Sequence, residues 1–582
     1  MFTVIKKLSW YFKEEWIRYT LAIIALVTAS ILFTVPPMLI GNTIDAMQGN
    51  QLTKEKLQNT VTLFVGLMVF IYILSFFWGH TLFGRAILLE RKLRSILMNH
   101  FMKMSPSFYS KYRTGDLMAR STNDLKALMT TAGFGILTLI DSTLFMAFII
   151  GIMLILIDWK LTLVALIPLP IMALIMQKYG AQIHSRFMQA QALFSELNNN
   201  TLESIQGVRV IRAFVQERQD ESKFNEKAEE VFQKNIAVAR LDALFEPTIK
   251  ILVGLAYTLG LGYGSYLVIH GDITIGQLVS FNVYLGMLIW PMFAVGELIN
   301  VMQRGNASLD RIEELLHEQP EVENPLDPNP LTEIKTIHYK QFSFRYPNTE
   351  VYALKDIELL LTSGETIGIV GITGAGKTTL VKQLLREYKE TEDGSLLING
   401  LPIESYTLED VRAMIGYVPQ DHILFSKTIK ENILFGNPDA TEEDLYRLLE
   451  TASLKEDIDN LPKGLHTLVG ESGVTLSGGQ KQRVSLARAL VKNPALLILD
   501  DSLSAVDGKT EAKIITHLKK ERANKTTIII AHRLSAVKHA DQIIVLDEGT
   551  IIERGTHQQL MTQNGWYRNQ FMIQQMEGEG LA

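Results

Sequence analysis

The stretch Gly371-Ile372-Thr373-Gly374-Ala375-Gly376-Lys377-Thr378-Thr379 has the spacing G-x-x-x-x-G-K-[ST], which is suited to holding phosphate groups. Its glycines let backbone N–H groups converge on phosphate oxygens at a helix N-terminus. Lys377 supplies a cation for the β and γ phosphates, and the Thr378 hydroxyl suits Mg²⁺. About 120 residues on, the apolar run Leu496-Leu497-Ile498-Leu499 ends in Asp500, an acid placed to hold that metal directly or through water. Between the two lies Leu476-Ser477-Gly478-Gly479-Gln480, heading the helical run Lys481 to Arg488. A hydroxyl and two glycines at a helix start expose N–H groups at the positive end of the helix dipole, which makes a second anion site. Taken alone, that segment also reads as an ordinary capped helix.

These residues need a strand-loop-helix scaffold, and the chain supplies one from Lys335 onward. The β-like runs Thr366 to Val370, Leu496 to Leu499, Thr527 to Ile530 and Gln542 to Leu546 alternate with charged helical stretches, the pattern of an open α/β sheet. Upstream, Pro320, Pro325, Pro328 and Pro330 among acidic residues mark a linker over 316–332. Before it, apolar residues gather at about 18–40, 59–83, 134–157, 160–177, 248–269 and 276–302, each near the ~20 residues needed to cross a bilayer as a helix. Buried core helices are the alternative, but runs such as Phe145 to Ile157 have no polar face. Lys6, Lys7, Lys13 and Arg18 precede the first span, and seven Lys and Arg from Arg85 to Arg113 follow the second. The turns Asp158-Trp159-Lys160 and His270-Gly271-Asp272 carry almost no positive charge, so both termini are expected in the cytoplasm. The opening segment, with Trp10, Tyr11, Phe12 and Trp16 among Lys and Glu, reads as an interfacial helix rather than a signal peptide. The connections 84–133 and 178–247 keep helical spacing but carry many charges, so the helices are expected to extend into water. Tyr112 to Asp116 and Gln206-Gly207-Val208 would reverse their direction.

Length and composition fit this division. A chain of 582 residues exceeds one ordinary domain. With 47% hydrophobic residues in clusters and a formal charge of −6, it is too apolar for a soluble chain and has no general attraction for nucleic acid. It contains no cysteine, which removes disulfides, thiolate metal sites and cysteine nucleophiles.

The P-loop, Leu476 to Gln480, the strand ending in Asp500, and His532 after a later strand, in that order, resemble an ATP-binding cassette. With six spans and long cytoplasmic helices ahead of it, nearly the whole chain is similar to an ABC half-transporter of the exporter type. The resemblance implies a multidomain fold: an all-α six-helix transmembrane domain over 1–315, with coupling loops at about 104–118 and 204–216, the linker, and an α/β P-loop nucleotide-binding domain over 333–582. It also implies ATP and Mg²⁺ as cofactors, with ATP sandwiched between one P-loop and the Ser477 to Gln480 signature of a second half-transporter. Carried over by position, Tyr346 would stack on adenine, Gln420 would link Mg²⁺ and attacking water to the membrane domain, and His532 would contact the γ-phosphate. Asp507 resembles the loop after the metal-binding strand, and Thr467-Leu468-Val469-Gly470-Glu471 resembles the exporter segment that touches the coupling helices.

One position departs from the family pattern. After the metal-binding acid the family has Glu, as base or water-orienting group, and this chain has Asp501. A side chain one methylene shorter withdraws the carboxylate by roughly 1 Å or more, a displacement that can cost about a hundredfold in rate. Its P-loop site is expected to bind ATP and hydrolyse it slowly. This resembles the degenerate-site subunit of heterodimeric multidrug exporters of Gram-positive bacteria, whose intact signature completes the partner's site. A homodimer tolerating Asp is the alternative.

Acidic residues inside spans are costly and usually face a cavity or partner, so Asp141, Glu246 and Glu297 are candidate substrate contacts, with Trp290, Phe145, Tyr284 and Phe293 as aromatic neighbours for hydrophobic cations. The opposing reading is structural: Glu246 pairs with Lys250 one turn on, and the other two hydrogen-bond neighbouring helices. The expected function is ATP-driven export of amphipathic compounds or lipids across the plasma membrane. A dedicated peptide exporter is disfavoured, since a chain without cysteine carries no cysteine protease. A subunit that ATP gates without pumping is the reading from another class.

Overall fold

The computed structural model describes residues 3–347, 349–389, 394–470 and 476–579. The chain divides into two compact units, one formed by 1–101 and 114–318, the other by 102–113 and 319–582.

The first unit is helical. Among the described residues six helices are long and apolar enough to span a membrane: α1 (Trp16–Gln48), α2 (Lys54–Phe101), α3 (Thr114–Ile157), α4 (Trp159–Gln206), α5 (Glu217–His270) and α6 (Ile275–His317). At 1.5 Å per residue the longer ones reach about 70–80 Å, more than twice the ~30 Å hydrocarbon core, so they do continue well past the apolar layer. Their interruptions have local causes. In α1 the helix breaks at Phe33-Thr34, just before Pro36 and Pro37, in α5 at Ala243-Leu244 before Pro247, and in α6 at Leu288 before Pro291. Proline has no N–H to give the preceding turn and its ring crowds that turn's carbonyl. The far end of the α4–α5 hairpin is closed by a short helix, Val208–Ala213, which starts at Gly207 and ends at Phe214.

Close approach defines the α1–α6 contact. A Cβ built on Gly276 would stand 2.0 Å from the Gly41 carbonyl oxygen, so only glycine fits there. Along this seam the Asp45 carboxylate accepts from the Gly276 N–H at 2.7 Å and the Thr274 hydroxyl at 2.6 Å, Ser280 donates to the Pro37 carbonyl, and Tyr284 donates to the Thr34 carbonyl. The opening segment is tied to the same unit: Lys7 bonds Asp310 and Glu313, Tyr11 donates to the Arg85 carbonyl, and Lys92 lies over the Trp10 ring.

The second unit is built on two sheets. The strands are β1 (Thr336–Phe344), β2 (Leu354–Thr362), β3 (Thr366–Gly371), β4 (Ser395–Ile398), β5 (Leu401–Pro402), β6 (Ile415–Val418), β7 (Leu496–Asp500), β8 (Thr526–Ile530), β9 (Gln542–Asp547) and β10 (Thr550–Gly555). An antiparallel sheet has the order β2-β1-β4-β5, and a six-stranded sheet the order β10-β9-β3-β8-β7-β6. In the larger sheet β9, β3, β8, β7 and β6 are parallel and only β10 runs the other way. Both of its faces are covered, as parallel sheets require. Leu497 and Leu499 pack into one core with Val418, Ile529 and Val545, while Leu496 and Ile498 pack into the other with Ile367, Ile528 and Ile544. The four strands expected from the sequence therefore lie side by side, with their C-terminal ends at one edge.

Segment 102–113 belongs with this second unit. Its short helix Pro106–Lys111 follows Ser105, and the Ser107 hydroxyl donates to Glu321 at 2.8 Å.

Candidate functional site

Strand register creates the site. Ile369 of β3 and Asp500 of β7 both pair with Ile530 of β8, so the loop after Gly371, the acid pair Asp500-Asp501 and the Ala531-His532 turn emerge together. Ligands of open α/β sheets bind at this edge. A cleft of about 270 Å³ lies there, walled by Tyr346, Thr373, Gly374, Gly376, Lys377, Thr378, Thr379, Gln420, Asp500, Asp501 and His532.

Backbone geometry shapes the loop. Gly376 sits at φ 98°, and a Cβ on it would lie 2.6 Å from the Ala353 carbonyl oxygen. It precedes α7 (Lys377–Leu384), whose N-terminus faces the cleft. Lys377 is buried and donates to the carbonyls of Gly371 and Ile372 at 2.9 and 2.8 Å, folding the loop around its own ammonium group. Burial lowers its pKa, partly offset by Asp501 and Asp500. Ile372 is exposed and Ala375 is buried under the loop. Tyr346 bonds the Thr379 hydroxyl at 2.9 Å and meets Phe344 and Tyr388 edge-on, leaving its ring at the cleft wall.

Asp500 is buried and takes hydrogen bonds from Thr378 Oγ1 at 3.0 Å and Tyr417 Oη at 3.3 Å. Burial nevertheless pushes its carboxyl above the usual range, and Asp501 beside it acts in the same direction. A buried carboxylate next to a hydroxyl and a second acid is a hard-oxygen set that fits Mg²⁺. Thr378 and Asp500, with Gln420 on the same wall, would hold that ion, which would neutralise phosphate charge. Tyr417 was not legible beforehand: it reaches Asp500 because β6 neighbours β7, an order that the run Ile415 to Val418 does not disclose.

Asp501 has φ 48°, a left-handed conformation that Asp tolerates better than most residues. Its N–H bonds the Ile530 carbonyl at 3.0 Å and its carbonyl accepts from Ser504 Oγ at 3.0 Å. The backbone is thus fixed, while its carboxylate accepts no hydrogen bond from another described residue.

Ser477-Gly478-Gly479-Gln480 stands elsewhere. Ser477 and Gln480 form a reciprocal capping box at the start of α8 (Gly478–Leu490), and Gln480 also donates to Asp457, which Arg483 holds at 2.6 Å. None of these four residues is among those lining the P-loop cleft. Asp507 caps α9 (Gly508–Glu521) through the N–H groups of Lys509 and Thr510. In the segment 467–471, Val469 donates to the Lys427 carbonyl and Leu468 is exposed, and Glu471 lies outside the described residues.

The candidate substrate contacts do not form one cluster of acids. Asp141 is buried and accepts from the Trp290 indole N–H at 2.9 Å, which joins two of the candidate substrate contacts. Glu246 instead pairs with Lys250 at 2.7 Å on an exposed helix face, and Glu297 lies 3.5 Å from Arg304. Measured along the helices from the short turns at 158 and 271–274, Asp141 and Trp290 are about 25 Å deep, but Glu246 and Glu297 are about 35 Å away, past a ~30 Å apolar core. Tyr284 is fully buried with its hydroxyl on Thr34, so it offers no open ring face.

Residues 19–292 match the family model described as ABC transporter transmembrane region, and 354–504 match the one described as ABC transporter. The probable multidrug resistance ABC transporter ATP-binding/permease protein YheI of Bacillus subtilis (strain 168) is 55% identical over 576 residues, 99% of this chain and 98% of that protein. The multidrug resistance-like ATP-binding protein MdlA of Escherichia coli (strain K12) is 41% identical over 571 residues, 98% of this chain and 96% of that protein. Among solved structures, a bacterial Atm1-family ABC exporter with ATP bound superposes with a TM-score of 0.79 at 25% identity, covering 96% of this chain and 99% of that one.

Proposed function

Because the chain belongs to the ABC transporter family, with an exporter-type membrane region followed by an ATP-hydrolysing unit, we propose that it is one subunit of a heterodimeric multidrug exporter. Its P-loop site would bind Mg·ATP and hydrolyse it slowly, while its Ser477 to Gln480 element would complete the faster site of a partner half-transporter. The observation behind this reading is the cleft itself: it gathers phosphate-binding and acidic residues, ends in the short Asp501, and has no signature residue in its wall. A nucleotide held by Lys377 and Tyr346 therefore needs a second chain to cover it. In this reading both termini lie in the cytoplasm of a plasma-membrane protein, and closure of two ATP-filled cassettes drives hydrophobic, cationic compounds outward by alternating access.

Uphill dye accumulation by inside-out vesicles tests this, with the chain alone and with candidate partner halves. ATP-dependent accumulation that requires a partner supports the reading. Purely downhill flux would replace the pump with an ATP-gated path. Full activity of the chain alone would make it a homodimer.

A further inference from the structure

Two departures from regular helix meet inside the membrane unit. In α3, Asp141–Phe145 is a π-helical turn: the Met146 N–H bonds the Asp141 carbonyl five residues back, and the hydroxyls of Ser142 and Thr143 both turn onto the Leu139 carbonyl. In α6, Pro291 has no N–H to give the Met287 carbonyl, and the helix breaks at Leu288. The two irregular turns lie at about the same depth, roughly 25 Å along each helix from the short-turn end. A hydrogen bond links them, Trp290 Nε1 to Asp141 Oδ2, at 2.9 Å.

Irregular backbone at membrane depth is tolerated where it borders a cavity or is covered by protein, and interrupted helices commonly mark binding positions. The side chains agree with a binding role. Among the described residues Asp141, 8% exposed, has no ion-pair partner, and its one side-chain hydrogen bond there comes from a neutral indole. A buried carboxylate in a span lacking a cation is expensive unless something supplies the charge. Trp290 is 51% exposed, which leaves part of its ring open beside that carboxylate. Aromatic face and carboxylate together match a positive charge with apolar substituents.

Building on the exporter reading, we infer that Asp141 and Trp290 form the specificity site for lipophilic cations. The cation takes the place of the indole N–H on the Asp141 carboxylate, and Trp290 turns from hydrogen-bond donor to ring contact. Glu246 has its own lysine partner and Glu297 lies past the apolar core, so neither acid serves.

Tetraphenylphosphonium, a permanent cation, is the probe, and its equilibrium binding to the full chain in uncharged phosphatidylcholine nanodiscs is the measurement. Binding needs no ATP, so it succeeds or fails independently of uphill transport. Asp141→Asn, which keeps an acceptor for the indole, weakens binding at least about tenfold, and Asp141→Glu recovers most of it. Trp290→Phe keeps a ring face without the competing N–H and binds at least as tightly as wild type, whereas Trp290→Ala binds several-fold more weakly. Wild-type chain without measurable binding, Asp141→Asn with wild-type affinity, or Trp290→Phe as weak as Asp141→Asn would each overturn the inference.

Discussion

Substituting Asp501 by Glu adds one methylene to a side chain whose backbone cannot shift to compensate. The N–H of residue 501 is bonded to Ile530 and its carbonyl to Ser504, so added reach comes from the side chain alone. Restoring roughly 1 Å of reach toward an attacking water is worth about a hundredfold in rate, or ~2.7 kcal/mol of barrier. The opposing cost is conformational. At φ 48° a residue other than glycine costs about 1–2 kcal/mol, and Asp suffers less than Glu, so the variant loses at most ~1 kcal/mol of stability. Asp501→Glu should therefore be a slightly less stable but much faster ATPase. Steady-state phosphate release by the full chain in nanodiscs, wild type beside variant and with oligomeric state checked by size, reads this directly. A rate change of less than about threefold, or a wild type already turning over rapidly, refutes the idea that the missing methylene limits this site.

Four further outcomes follow from the structure. Burial raises the Asp500 carboxyl, so its ionised form is disfavoured in the folded protein, and the resulting destabilisation is absent at low pH and grows as pH rises through the folded pKa. Mg²⁺-dependent ATP affinity should accordingly begin to fall on acidification above the ordinary carboxylate range. Asp500→Asn should raise the melting temperature of the nucleotide-free protein at pH 7 and abolish the Mg²⁺ enhancement of ATP binding. Arg522 is buried, with its pKa lowered to about 10 by desolvation, and donates to Thr527 Oγ1 and to the carbonyls of Pro494, Ala495 and Thr526. Arg522→Met leaves those acceptors unpaired and should cost about 3 kcal/mol, visible as an earlier denaturant midpoint for the nucleotide-binding unit. Gly276→Ala puts a methyl group 2.0 Å from the Gly41 oxygen and should destabilise the membrane unit by about 1–3 kcal/mol, checked by thermal unfolding in detergent.

The sequence disclosed whatever is written locally. The P-loop, the strand before it and the acid at the end of Leu496 to Leu499 all follow from spacing and alternation, and each lies on the expected element. The long apolar runs likewise announce the spans, because a helix without a polar face has few other fates. Non-local facts stayed hidden. Tyr417 joins Asp500 through strand order, and the bond between Trp290 and Asp141 depends on how α3 and α6 face each other. The interruption of α6 was written in Pro291, but the π turn at Asp141 was not, since hydroxyls at 142 and 143 fit an ordinary helix equally well. Glu246 was the opposite case: its lysine one turn away was visible, and the exposed ion pair is the result.

The proposal rests most directly on nucleotide binding without matching hydrolysis at this chain's own P-loop. Photolabelling the assembled transporter with an adenine-azido ATP, digesting it, and following the γ-phosphate on the peptide containing Tyr346, whose ring lines the same cleft, measures both quantities at once, with Lys377→Ala as the unlabelled control. The account predicts ATP bound at this peptide and still intact after the transporter has turned over many times. Nucleotide converted to ADP at the turnover rate, or no label on this peptide, would contradict it.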